Sequence, residues 1–167
     1  MKRKLSQKIA AGISVITGVG ITLLALAGFL LFVPRLFAVT PYIVMSGSME
    51  PEIHTGGIAY VDTQNDRLRS GDIITFRVSD KLVTHRIVRI DETGIYTQGD
   101  ANAREDPAPI EKAQVIGKVC LALPYLGYLA AFIQSKRGIA AMLLLLFSHM
   151  LSWDFRQARE KEWILES

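Results

Sequence analysis

Cysteine is nearly absent from this 167-residue chain. One residue, Cys120, excludes an internal disulfide framework and a cysteine-based metal cluster. Three histidines leave little room for a multi-histidine metal site. A surplus of one charge sign is also missing. The 19 Lys and Arg nearly balance the 16 Asp and Glu, for a net charge of +3. No basic run interleaved with aromatics appears, so nucleic acid is not an expected partner. Aromatics make up only 8% of the chain, and repeats and low-complexity stretches are lacking. Apolar residues are abundant: they make up 50%, and the mean hydropathy is +0.26. They are clustered at the two ends.

The chain opens Met1-Lys2-Arg3-Lys4, with Lys8 following, and then runs from Ile9 to Val33 without a charge. A helix crossing the bilayer core needs about 20 apolar residues. A cleaved signal peptide has a shorter apolar region and a small-x-small site after it. The reading is therefore an uncleaved anchor over 9–33. Residues 1–8 are expected in the cytoplasm, because cations crowd the near side of the span and only Arg35 follows it closely. The domain after it then faces outside.

Towards the other end, Val119–Gln134 is apolar but contains Pro124 and two tyrosines. It is read as leading into a membrane-proximal segment over 121–138. Ile139–Trp153 is uncharged again. At 1.5 Å per residue it reaches about 22 Å, short of the roughly 30 Å hydrocarbon core. A second membrane helix over 139–153 is expected, followed by a tail over 154–167. An interfacial helix is the alternative.

The middle, 34–120, changes character. Ile58–Val61 follows a Gly-Gly pair, and Asp72–Val78 follows Ser70-Gly71. Leu82–Ile90 is rich in β-branched residues and leads through Asp91-Glu92-Thr93-Gly94 into Ile95–Gln98. Ala113–Val119 is a further strand candidate. Breaks recur every 10–20 residues, and no helical period survives them. The expected fold is mainly β: a small antiparallel sheet or partly open barrel, tethered by membrane helix.

Chemistry is best supported at Ser46-Gly47-Ser48-Met49-Glu50-Pro51. A serine in a tight glycine turn can be exposed beside free amides, as a nucleophile and an oxyanion site require. Candidate bases are His54, His85, Lys81 and Lys112. His54 sits in a polar turn, and His149 in the apolar C-terminal run. His85 lies mid-strand, sharing a face with Val83 and Ile87. An imidazole there is costly unless it is bonded. Asp100 and Asp106 occupy the loop after the strand expected to pair with His85. Either could orient it.

Taken in order, these pieces resemble type I signal peptidases. The resemblance is carried by Ser48-Met49-Glu50-Pro51 after an N-terminal anchor, by Gly71–Arg77, by Thr84-His85-Arg86-Ile87-Val88, and by Thr97–Asn102 with Asp106. The common bacterial form has a lysine base where this chain has His85. The chain therefore resembles the endoplasmic-reticulum-type branch, found in archaea, eukaryotes and some Gram-positive bacteria.

That resemblance implies a membrane-bound serine endopeptidase that removes signal peptides at the outer face of the cell membrane. It implies Ser48 as nucleophile, His85 as base and Asp106 as acid, with Asp100 holding the loop and Ser46 assisting at the oxyanion. It implies no metal or organic cofactor. Partners would be signal peptides of secreted preproteins, the lipid bilayer and the translocation machinery. Shallow pockets for small side chains are expected at Ile43, Val44 and Ile74. Two alternatives share much of this pattern. One is a processing protease dedicated to a few secreted partners; the other is a non-catalytic membrane-anchored β module.

Overall fold

The computed structural model describes residues 2–65 and 67–166. In the two terminal helices, side chains are described for 9–155 and for 157. The cations before Ile9, on which the expected orientation rests, and most of the tail lie outside the described side chains. The elements run α1 (Lys2–Phe32), a 3-10 turn (Val33–Phe37), β1 (Val39–Ile43), β2 (Ile58–Asp62), β3 (Ile73–Val78) and β4 (Lys81–Asp91). They continue with β5 (Gly94–Gln98), a 3-10 turn (Lys112–Gln114), β6 (Val115–Leu123), α2 (Leu126–Gln134) and α3 (Lys136–Glu166). The chain forms two compact units, one of residues 31–130 and one of residues 1–30 with 131–167.

The first unit is a six-stranded antiparallel sheet, ordered β1-β2-β6-β3-β4-β5. This is the mainly β domain expected. β-branched and aromatic residues suit a pleated, half-buried surface, and β3, β4 and β5 are rich in them. Gly94 closes the β4–β5 hairpin at φ 142°, a conformation that L side chains rarely adopt. Pro41 lies in β1, an edge strand, where a missing N–H costs no central ladder bond.

Register puts Ile74 opposite His85 and Ile87 opposite Thr97. These residues share one face, where Ile74, Phe76, Ile87, Ile95 and Ile110 form a buried cluster with Val83 and Val115 against it. A second cluster gathers Ile58, Tyr60 and Ala130, flanked by Leu31, Val39, Leu123 and Leu126. Burial lifts the Tyr60 hydroxyl above the ordinary tyrosine pKa.

β6 runs on past Val119 to Leu123, where it pairs with Ile58. The apolar run Cys120–Leu123 thus belongs to the sheet, which extends three residues past the expected 34–120 boundary.

Two helices are long and apolar enough to cross a membrane by length and composition, over Ile9–Phe37 and Lys136–Phe155. The second begins before the uncharged run, taking Lys136 and Arg137 into its first turn. Its 20 residues span about 30 Å, enough for the hydrocarbon core. Within this unit, Ser14, Thr17 and Ser152 are buried. The Thr17 hydroxyl donates to the Ile13 carbonyl at 2.9 Å, and His149 Nδ1 lies 2.9 Å from the same oxygen. His149 is thus an interhelical residue, joining α3 to α1.

Candidate active site

His85 is 7% exposed, between Val83 and Ile87 on the core face of β4. An imidazole in that position must bond through both nitrogens. Nδ1 lies 2.6 Å from Asp106 Oδ2, and Nε2 lies 3.2 Å from Ser48 Oγ. A carboxylate can only accept, so Nδ1 carries the proton and donates it. Nε2 is left with a lone pair facing the Ser48 hydroxyl. The Phe76 ring stands edge-on to the imidazole at 6.3 Å.

Asp106 is fixed from two directions. Its backbone N–H donates to the Thr97 carbonyl at 2.8 Å. Its Oδ2 accepts a second hydrogen bond, from the Thr97 hydroxyl, at 2.6 Å. Thr97 is fully buried. It was not among the sequence candidates, although it stands in the Thr97–Asn102 segment. Its period-2 offset from Ile95 and Gly99 places it on the His85 face.

Ser48 sits in the turn after β1. The buried Met49 beside it anchors the turn. The Ser48 carbonyl accepts from the Ala101 N–H at 2.9 Å, tying the turn to the loop after β5. Gly99 makes that approach possible. A Cβ there would lie 2.6 Å from the Ser48 carbonyl oxygen and 3.0 Å from His85 Nε2. Ser46 Oγ stands 3.5 Å from Ser48 Oγ, on an exposed stretch.

Asp100 is not part of this chain of bonds. Its two oxygens take Arg86 Nε at 2.9 Å and Nη2 at 2.7 Å. Arg86 Nη1 also donates to the Gly71 carbonyl at 2.9 Å. The pair clamps the loop after β5 to the turn before β3. Donating to the Asp100 carboxylate pushes the Arg86 guanidinium further above its already high pKa. His54 pairs with Glu50 at 3.6 Å in its exposed turn. Among the described residues, no group of three or more His, Cys, Asp or Glu could hold a metal ion.

Two cavities adjoin the site. One of about 400 Å³ is lined by Tyr42, Ile43, Val44 and Ser46 from one side and by Leu82 and Thr84 of β4 from the other. The other, of about 660 Å³, includes His85 and Asp106 in its wall. Ile43 and Val44 line the first as expected. Ile74 lines neither of these two; it is fully buried in the sheet core.

A serine, a buried imidazole and a carboxylate in hydrogen-bonded sequence constitute the machinery of acyl transfer. The family model for Peptidase S24-like proteins matches residues 33–120. The chain belongs to this family. Its relatives place it among type I signal peptidases of the endoplasmic-reticulum-type branch. It is 43% identical over 89 residues to signal peptidase I W of Bacillus subtilis, an alignment covering 49% of this chain and 47% of that protein. It is 30% identical over 128 residues to the signal peptidase complex catalytic subunit SEC11 of Zygosaccharomyces rouxii, covering 66% of this chain and 76% of that one. The human catalytic subunit SEC11C is 32% identical over 100 residues, covering 51% of this chain and 52% of the subunit. The chain thus spans about half the length of the Bacillus and human relatives and about three quarters of the yeast one.

Proposed function

We propose that this protein is a membrane-bound serine endopeptidase that removes signal peptides from secreted preproteins. The observation that carries the reading is the unbroken chain from Ser48 Oγ through His85 to Asp106. Ser48 attacks the scissile carbonyl while His85 Nε2 takes its proton. The imidazolium so formed is held by Asp106, and Nε2 then returns the proton to the leaving amine. Water repeats the cycle on the acyl-enzyme. The Ser48 N–H, with the Ser46 hydroxyl beside it, stabilises the oxyanion.

The sheet supports an extended peptide as substrate. β5 pairs with β4 only from Arg86 onward, so Lys81–His85 has β3 on one side and no strand on the other among the described residues. Among the described residues, β1 pairs only with β2. These two free edges line the same 400 Å³ groove. A peptide strand added there gains main-chain hydrogen bonds, and its alternate side chains enter the groove. The groove is lined with aliphatic side chains at Ile43 and Val44, which suits small apolar residues next to the cleaved bond.

In this reading 9–33 is the anchor, with 1–8 in the cytoplasm. The catalytic domain, 34–120, faces outward from the cell membrane. Residues 121–138 lie close to the membrane, 139–153 form a second span, and 154–167 form the tail. Besides the bilayer and signal peptides, the translocation machinery is the expected partner.

The test is a cleavage assay on membrane-embedded protein with one signal-peptide-bearing preprotein. Ser48→Ala and His85→Ala lose processing, and Lys81→Ala keeps it. Processing by Ser48→Ala at the wild-type rate would falsify the assignment. Loss in Lys81→Ala with retention in His85→Ala would mark a serine–lysine enzyme instead. For orientation, a protease added outside sealed cells should reach a tag placed in the hairpin at Thr93.

A further inference from the structure

We propose that the cavity of about 660 Å³ beside His85 is a second specificity subsite. Its occupant is the side chain of the second residue before the cleaved bond, and it takes bulky apolar groups. This inference rests on the proteolytic reading above.

The argument starts from strand alternation. Successive side chains of a strand point to opposite faces. On β4, Leu82 and Thr84 face the 400 Å³ groove and His85 faces the 660 Å³ cavity, while Lys81 and Val83 reach both. On β3, Thr75 faces the groove, whereas Phe76 and Val78 face the cavity. The two spaces therefore lie on opposite faces of one free strand edge. A peptide strand added to that edge must alternate in the same way. When the residue attacked by Ser48 places its side chain in the groove, its neighbour on the acyl side points into the cavity.

The walls decide which side chains fit. Phe76, Val78, Val83, Pro107, Pro109 and Ile110 present carbon to the interior. The cavity is also the larger of the two. A small residue next to the bond followed by a large apolar one is the pattern this pair of spaces selects. His85 and Asp106 form part of the same wall, so an apolar occupant also shields their hydrogen bond from water.

The experiment uses the full-length membrane protein and two peptides. Both carry alanine at the first and third positions before the cleaved bond. One has alanine and the other phenylalanine at the second. The wild-type kcat/KM is expected to favour phenylalanine by at least about tenfold. Val78 is half exposed at the end of β3, so Val78→Trp can occupy the cavity without repacking the core. In that variant the phenylalanine-to-alanine ratio is expected to fall to about one. A wild-type ratio near one, or a ratio that survives Val78→Trp, overturns the subsite. The wild-type ratio decides the matter even if the tryptophan variant does not fold. Absence of Ser48-dependent cleavage of either peptide is a separate result: it overturns the proteolytic reading, and the subsite with it.

Discussion

Replacing Gly99 by alanine tests whether the site depends on a close approach of two backbone segments. The added Cβ would fall 2.6 Å from the Ser48 carbonyl oxygen, 2.8 Å from Asn102 Nδ2 and 3.0 Å from His85 Nε2. The nearest of these atoms is backbone and cannot swing aside. An ordinary contact needs about 3.4 Å or more, so the serine turn must retreat by roughly 0.8 Å. That retreat strains the hydrogen bond from the Ala101 N–H to the Ser48 carbonyl. It also lengthens the 3.2 Å distance between Ser48 Oγ and Nε2. A misplacement near 1 Å in a catalytic constellation costs about a hundredfold in rate. Overpacking itself destabilises by about 1–3 kcal/mol. Gly99→Ala is therefore expected to lose about a hundredfold in kcat/KM with a modest fall in Tm. Gly12→Ala, where a Cβ meets nothing within 4 Å, is the control. The assay is steady-state cleavage of a signal-peptide substrate beside thermal denaturation of both variants. Activity of Gly99→Ala within threefold of wild type would refute the reasoning.

Asp106→Asn should keep the fold and lose about 10³–10⁴-fold in kcat, because an amide no longer fixes the imidazole tautomer; a loss below tenfold counts against Asp106 as the acid. Thr97→Val removes the hydroxyl that donates to Asp106 at close to constant volume, costing about 1 kcal/mol of stability and lowering kcat more than it raises KM. A change confined to Tm would make Thr97 structural only. Arg86→Lys breaks the two-pronged bond to Asp100; with Arg86 about a third exposed, the loss should be near 1 kcal/mol by denaturant titration. His149→Leu deletes an interhelical hydrogen bond in the helical unit and should weaken its packing by about 0.6 kcal/mol, read in a double-mutant cycle with Thr17→Val. An additive cycle would mean that the pair is not coupled.

The residues of the site were legible for particular reasons. His85 stood out because an imidazole on an apolar strand face must be bonded, and the bonds are there. Ser48 was marked by its turn. The choice between Asp100 and Asp106 was not legible from spacing, because both share one loop. It turns on where Arg86 reaches, which is a matter of register across β4 and β5. Thr97 and Gly99 resembled an ordinary strand threonine and an ordinary turn glycine. Their importance comes from the elements packed against them. Ile74 was expected at a pocket because it is aliphatic and near the site, but pairing opposite His85 turns it into the core. The run after Val119 shows a limit of apolar patterning: a short apolar stretch reads equally as strand or helix until its partner is known. Here that partner is β2.

The half-paired state of β4 also bears on self-association. An open strand edge is a template for any other strand, including the same edge of another copy. The exposed length here is short, Lys81–His85, and it begins at a hairpin carrying the exposed charges of Asp80 and Lys81. With so few positions to pair, two copies meeting edge to edge gain little, and the charged hairpin at its end blunts the edge further. Neutralising both, as in Asp80→Asn with Lys81→Gln, would leave the catalytic bonds in place and remove one of the two features that keep the enzyme from becoming its own ligand.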